Sequence, residues 1–335
     1  MSRDRVVVLG SGSWGTTFAA VTVDAGCPTA VWGRDAAVVA EIDGEHRNSA
    51  YLPDVDLPVS LRATTDAAAA VAAADVVVLA LPSKVLRATL VPLAGVIPAT
   101  AVLVSLSKGV ELGSNRRMSE VVAEAAGVDA ARVAVVSGPN LAHEIALRQP
   151  TATVVAASSH EVADRVAAAC STDYFRPYTH TDVVGVEIAG AMKNVMALAV
   201  GMAVGLGMGD NSKASLITRG LAETARLGAA LGADPQTFSG LAGMGDLVAT
   251  CTSPLSRNRT FGEQLGAGRS VAEVVQATRR TAEGVVSCRS LLALARSLDV
   301  DVPITEAVAA VVTGVLRPQE LTALMFRRAR KTESG

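Results

Sequence analysis

Gly10-Ser-Gly-Ser-Trp-Gly15 follows directly on the β-branched run Arg5-Val-Val-Val-Leu9 and opens a helical stretch over residues 16–24. Glycines at this spacing between a strand and a helix let the backbone turn tightly, approach a pyrophosphate and pack helix on strand, with the anion at the helix N-terminus. The motif alone is weak, but its place in the first strand–helix unit of the chain is the context it requires. Gly10, Gly12 and Gly15 are therefore candidate dinucleotide contacts.

The alternation of apolar strand and helix continues. Strands are predicted over residues 29–32, 75–81, 101–106 and 133–136, and helices near 84–93 and 116–126 and from Asp66, the N-cap of an alanine run. A further strand–helix–strand passage covers residues 153–178, and from Val183 onward only helices are indicated. Strands this continuously apolar predict a parallel sheet covered on both faces. The expected fold class is α/β, with a Rossmann-type doubly wound parallel sheet over residues 1–182 and an all-α domain over residues 183–335; 335 residues suit two domains.

Composition closes off other classes. A formal charge of −2 from 30 basic and 32 acidic residues gives no basic excess, and 3% aromatics give no stacking platform, so no nucleic-acid partner is expected. Cys27, Cys170, Cys251 and Cys288 form no CxxC or Cys/His cluster, which predicts inert thiols and no metal site. The apolar run after Arg5 ends at Gly10, too short for a signal peptide, and the expected location is cytoplasmic. Residues 188–208 are apolar, yet Lys193 and Asn194 interrupt them, and the uninterrupted part is shorter than the ~18 residues of a membrane span. A buried helix without stable membrane insertion is predicted.

Only five lysines occur, at Lys84, Lys108, Lys193, Lys213 and Lys331. Lys193 stands in an otherwise apolar helix, where a charge must find a carboxylate, reach water or be neutral for chemistry. Desolvation lowers a lysine pKa and suits it to proton transfer near neutral pH. Glu187, six residues earlier, lies on another face, so the partner must come from elsewhere. Asp246, expected in an irregular loop within Gly243-Met-Gly-Asp-Leu247, is the candidate. Lys108 and the turn Ser137-Gly-Pro-Asn140 follow apolar strands, at the edge where ligands gather. There Gly138 allows close approach, and Asn140 can donate and accept. Ser256, Arg257 and Asn258 offer donors suited to a phosphate monoester, although a solvated basic turn reads the same way. At the end of the second strand, Arg34 suits a 2′-phosphate and favours NADP(H), while Asp35 keeps NAD(H) possible.

Together these residues resemble the bacterial NAD(P)-dependent glycerol-3-phosphate dehydrogenase family over essentially the whole chain. The matching segments, in family order, include Gly10-Ser-Gly-Ser-Trp-Gly-Thr16, Asn48-Ser-Ala-Tyr-Leu-Pro53, Ser107-Lys-Gly109, Ser137-Gly-Pro139, Ala191-Met-Lys-Asn194, Gly243-Met-Gly-Asp-Leu247, Thr250-Cys251, Ser256-Arg-Asn258 and Glu283-Gly284. The resemblance implies reduction of dihydroxyacetone phosphate to sn-glycerol 3-phosphate for phospholipid synthesis, by a cytoplasmic homodimer. It makes Lys193 the proton donor and acceptor, with Lys108 and Asp246 beside it. Lys108, Gly138, Asn140, Lys193, Asp246, Thr250, Ser256, Arg257 and Asn258 would contact substrate. Ser13, Trp14, Arg34, Tyr51, Lys108, Ala142, Arg257, Thr281 and Glu283 would contact the dinucleotide. Asn140 stands where bacterial members commonly carry serine or threonine, and Thr281-Ala-Glu-Gly departs from their valine-rich lead-in. Two rivals remain open: a ketopantoate or hydroxy-acid reductase, opposed by Arg257 and Asn258, and a non-catalytic dinucleotide sensor, opposed by Lys193.

Overall fold

The computed structural model describes residues 3–278 and 282–320. Among them eight strands form one sheet: β1 (Val6–Leu9), β2 (Thr29–Trp32), β3 (Arg62–Thr64), β4 (Val76–Leu79), β5 (Val102–Ser105), β6 (Val133–Ser137), β7 (Thr151–Ala157) and β8 (Phe175–His180). Their order, β3-β2-β1-β4-β5-β6-β7-β8, puts the reversal of strand order between β1 and β4. In doubly wound sheets ligands bind outside the carboxyl ends of the strands at that point. The residues of β1 explain its place. Val6 and Val8 pack into the hydrophobic cluster on one face and Val7 and Leu9 into that on the other, so all four are buried.

Seven helices belong to this half: α1 (Ser13–Asp24), α2 (Ala36–Ala40), α3 (Ala67–Val71), α4 (Ser83–Leu90), α5 (Met118–Ala126), α6 (Ala142–Ala146) and α7 (His160–Cys170). Asp66 caps α3 as expected, its side chain accepting from Ala69 N at 3.0 Å. The sheet departs from the expectation in one respect: β7 runs antiparallel to β6, with Ser137 opposite Val154, and β8 runs parallel to β7. A parallel crossover needs a dozen or more residues with a covering helix. Between β6 and β7 the helix, α6, has only five residues, and the chain turns back.

The second half is helical: α8 (Val183–Gly205), α9 (Asp210–Ala230), α10 (Asp246–Thr252), α11 (Arg257–Gly266), α12 (Val271–Thr278), α13 (Glu283–Ser297) and α14 (Pro303–Val312). The helix α8 is its axis, buried without interruption from Gly185 to Ala203 and packed by α9, α10, α11, α13 and α14. At 23 residues it is long and apolar enough to cross a membrane, so length does not decide the question as the sequence suggested. Burial does: 89% of its most apolar window lies inside the protein. All four cysteines are free and buried. Burial pushes the thiols of Cys170 and Cys251 up to about 12, which makes them poor nucleophiles.

Because β7 and β8 are reversed, His180 ends β8 at the level of Val135 and Ala156, toward the edge of the sheet opposite the glycine loop. The first turns of α8 climb back across β6 and β7, with Val186 packed on Val135, Val154 and Ala156. Glu187 fixes this crossing. Its carboxylate accepts from Ser119 N (2.7 Å), Ser119 Oγ (2.5 Å) and Arg117 Nη1 (2.8 Å) at the start of α5. Glu187→Ala removes the buried carboxylate and leaves the Ser119 N–H without its acceptor, while Arg117 keeps Glu120, and we expect a loss of about 2 kcal/mol in urea unfolding. An unchanged midpoint would show that the clamp contributes nothing.

Candidate active site

The glycine loop answers three separate constraints. Gly10 has φ +126°, and a Cβ on it would lie 2.4 Å from the carbonyl oxygen of Ala80, after β4. A Cβ on Gly15 would lie 2.0 Å from Gly10 O, so this glycine is required where α1 meets the strand. Gly12 has nothing within 4 Å of such an atom. No described atom demands a glycine there, so that side of the loop is open to a group approaching from outside. The helix α1 begins at Ser13, earlier than predicted, with no side-chain cap bond and no acidic residue in its first turn. Its first N–H groups and dipole are therefore open to an anion. The cradle fits a dinucleotide pyrophosphate.

The remaining predicted dinucleotide contacts border this loop or lie apart from it. Ser13 Oγ donates to Tyr51 O at 3.2 Å. Trp14 packs edge-on against Phe18, with ring centroids 5.6 Å apart, and its Nε1 is buried without a partner among the described residues. Ala142 opens α6 and its carbonyl accepts from Thr17 Oγ1 at 3.2 Å. Glu283 opens α13, whereas Thr281 lies outside the described residues. Arg34 is exposed just past β2, and no hydrogen bond or ion pair ties it to another described residue. Asp35 is committed elsewhere: its Oδ1 accepts from Ala37 N (3.0 Å) and Val38 N (3.4 Å), capping α2. That use lowers its value as a ribose ligand.

The lysines converge as the sequence suggested, with Asp246 between them. Lys193 Nζ donates to Asp246 Oδ1 and, at 2.9 Å, to Thr250 Oγ1. Lys108 Nζ donates to Asp246 Oδ2 at 2.5 Å and to Gly138 O at 3.4 Å. Asp246 is 1% exposed. It does not sit in a loop: Gly245 N donates to Gly240 O (3.1 Å), closing a wide turn, and Asp246 is the first residue of α10. This places Thr250 one helical turn further on the same face. Burial pulls Lys193 down to about 8, with the neighbouring Lys108 acting the same way and Asp246 against both. Burial alone would raise the Asp246 carboxyl, but Lys108 and Lys193 together hold it below its usual range, ionised.

Beside the lysines lies an amide chain of which the sequence indicated only parts. Arg257 and Asn258 are not a loose basic turn; they open α11, which Ser256 caps by accepting from Arg259 N at 3.3 Å. Asn258 Oδ1 accepts from Gly284 N (2.9 Å) and its Nδ2 donates to Asn194 Oδ1 (2.9 Å). The backbone donor fixes both amide orientations, leaving Asn194 Nδ2 buried without an acceptor. Ser137 Oγ, on the Lys108 side of α8, is also buried and unpartnered, 2.8 Å from where a Cβ on Gly190 would sit. Asn194 was visible in the sequence as the second polar residue of an apolar helix, but not as a site residue. Ser137 and Gly284 carried no separate signal. The Arg257 side chain is exposed and free of bonds to other described residues. Asn140 is partly engaged, its Nδ2 donating to Thr153 Oγ1 at 2.9 Å while Oδ1 stays unpartnered. No group of His, Cys, Asp and Glu able to hold a metal ion occurs among the described residues.

The profile described as NAD-dependent glycerol-3-phosphate dehydrogenase N-terminus matches residues 5–163, and that for the C-terminus matches residues 182–323. The chain is 58% identical to the glycerol-3-phosphate dehydrogenase [NAD(P)+] of Streptomyces coelicolor, over 98% of both proteins. The crystal structure of glycerol-3-phosphate dehydrogenase from Coxiella burnetii superposes with a TM-score of 0.92 at 35% identity, covering 97% of this chain and 99% of that one. A ketopantoate reductase from Ralstonia eutropha covers 95% of this chain and 99% of its own at a TM-score of 0.58 and 17% identity, a likeness of fold alone.

The two glycines separate stability from binding. Gly12→Ala should melt as wild type yet bind NADPH at least about 10-fold more weakly, because its Cβ intrudes only on the ligand's side. Gly15→Ala should lower the melting temperature. Wild-type NADPH titration by Gly12→Ala would overturn this reading of the loop.

Proposed function

Both halves of the chain belong to the NAD-dependent glycerol-3-phosphate dehydrogenase family, and from that premise we propose how its residues perform the reaction. The protein is an oxidoreductase that reduces dihydroxyacetone phosphate to sn-glycerol 3-phosphate with NAD(P)H. The observation that carries the residue assignment is the Asp246 carboxylate bridging Lys193 and Lys108 beside the unpartnered Asn194 Nδ2.

Residues 1–182 hold the dinucleotide and residues 183–335 the substrate. The N-terminus of α1 receives the pyrophosphate, and the bound nicotinamide supplies a hydride to the substrate's carbonyl carbon. Arg257, at the start of α11, receives the substrate phosphate together with the helix's first free N–H groups. Asn258 holds Asn194 in place, and Asn194 Nδ2 offers its free hydrogen to a substrate oxygen. As negative charge grows on the carbonyl oxygen, Lys108 polarises it and Lys193 gives it a proton, completing the alcohol. Asp246 and Thr250 fix the rotamer of Lys193, and Asp246 keeps two ammonium groups together that would otherwise repel. In the reverse direction Lys193 takes the proton back.

Identity to curated glycerol-3-phosphate dehydrogenases across nearly the whole chain supports this reading over a keto-acid reductase or a sensor. The family resemblance also supports a cytoplasmic homodimer that feeds glycerophospholipid synthesis.

With Lys193 at about 8, reduction needs the protonated form. We therefore expect kcat/KM for dihydroxyacetone phosphate to fall as pH rises through about 8, and kcat/KM for glycerol 3-phosphate oxidation to rise over the same interval. Lys193→Ala should keep its far-UV spectrum and NADPH binding but lose most turnover in both directions; near-normal turnover would refute the role.

We also infer a preference for NADP(H), supported by the untied Arg34 and the committed Asp35. Arg34→Ala should raise the KM for NADPH by about 10-fold or more, the worth of a charge-assisted hydrogen bond, and that for NADH far less. Equal losses with both cofactors would rule the preference out.

A further inference from the structure

The helices that carry Lys193 and Arg257 touch backbone to backbone. They run parallel at a constant offset: Asn194 meets Asn258, Leu198 meets Gly262 and Met202 meets Gly266, each pair 64 positions apart. A Cβ on Gly262 would lie 2.2 Å from Leu198 O, and one on Gly266 2.2 Å from Met202 O. From the other side of the seam, Gly201 would meet Arg259 O and Gly205 would meet Glu263 O, both at 2.1 Å. Ordinary helix pairs interlock larger side chains at 8–10 Å, and glycine is among the poorest helix formers, so four of them here are not what stability alone would select. Their effect is geometric, because the backbones can approach in one register only.

The end of this seam is the active site. One turn before Gly262, Asn258 bonds Asn194, which is 4% exposed and keeps a donor free for a ligand. Lys193 precedes Asn194 on α8, and Arg257 precedes Asn258 on α11. Resting on the assignment of the substrate phosphate to the start of α11, we propose that the glycine seam sets the separation between that phosphate and Lys193. It thereby selects substrates whose carbonyl and phosphate are spaced as in a three-carbon phosphate ester. The seam glycines are positioning residues; they touch no substrate atom.

A methyl group at Gly262 must push the helices apart by over an ångström to reach ordinary contact. A misplacement of about 1 Å in a two-point attachment costs roughly 10²-fold in rate, whereas a substrate held at one point has no spacing to lose. The test compares dihydroxyacetone phosphate with dihydroxyacetone, and inorganic phosphate serves as a competitive inhibitor. In Gly262→Ala we expect kcat/KM for the phosphate ester to fall by roughly 10²-fold, mostly in kcat, with the values for dihydroxyacetone and inorganic phosphate within about threefold of wild type. A change of less than about threefold for the phosphate ester, or equal losses for both ketones, would overturn the proposal. Should Gly262→Ala lose its cooperative melt, Gly266→Ala, one turn further from the site, must show the same selectivity, and equal losses there overturn it too. Failure of inorganic phosphate to compete in the wild-type enzyme, or its undiminished binding by Arg257→Ala, overturns instead the phosphate assignment beneath it.

Discussion

Asp246 lends one carboxylate oxygen to each of two lysines that come from opposite halves of the chain, and much of both halves can be understood as keeping that arrangement dry and aligned. One anion between two cations leaves a net positive charge inside the protein. Such a group is stable only where every member is bonded, since an unpaired buried charge is far more costly than the same charge in water. Thr250, Gly138 O and the packing of α10 on α8 supply those bonds and exclude solvent. An excess of positive charge attracts anions, and this is the property on which the proposed assignment of the phosphate ester to the site rests.

What could be read from the sequence was local. The glycine loop, the apolar strands and an isolated lysine in an apolar helix each announce themselves within a few residues, because their physical demands are met by neighbours in the chain. Asp246 was legible as a partner by elimination, but not as the first residue of a helix, since the wide turn before it is closed by backbone bonds from Gly245 N to Gly240 O and from Asp246 N to Leu241 O that no side chain announces. No helix was expected at the start of α11, where Ser256, Arg257 and Asn258 read equally as phosphate donors or as a solvated basic turn, although Ser256 is a good N-cap. The direction of β7 depends on how a thirteen-residue connection folds between Ser137 and Thr151, which no periodicity records. The chain of amides from Gly284 through Asn258 to Asn194 was invisible because it depends on the register of three helices.

The dinucleotide side shows how a residue's neighbours decide its role. Arg34 and Asp35 are adjacent, and either could serve a ribose. The structure gives Asp35 two backbone donors at the start of α2 and leaves the guanidinium beside it uncommitted. Gly12 is the converse case, a residue whose smallness serves nothing within the protein.

The reversal of β7 and β8 has a kinematic consequence. It moves the passage between the two halves, at Thr181 and Asp182, to the edge of the sheet away from the glycine loop, so α8 acts as a shaft rooted at that far edge. Lys193 rides on the shaft about 15 Å above its root, and α11, joined to it along the glycine seam, must turn with it. Any rocking of one half against the other would therefore carry Lys193 and the start of α11 together. What such a motion can alter is the reach from the glycine loop and from Lys108 to the residues on α8, α10 and α11, while Lys193 and the start of α11 keep their spacing.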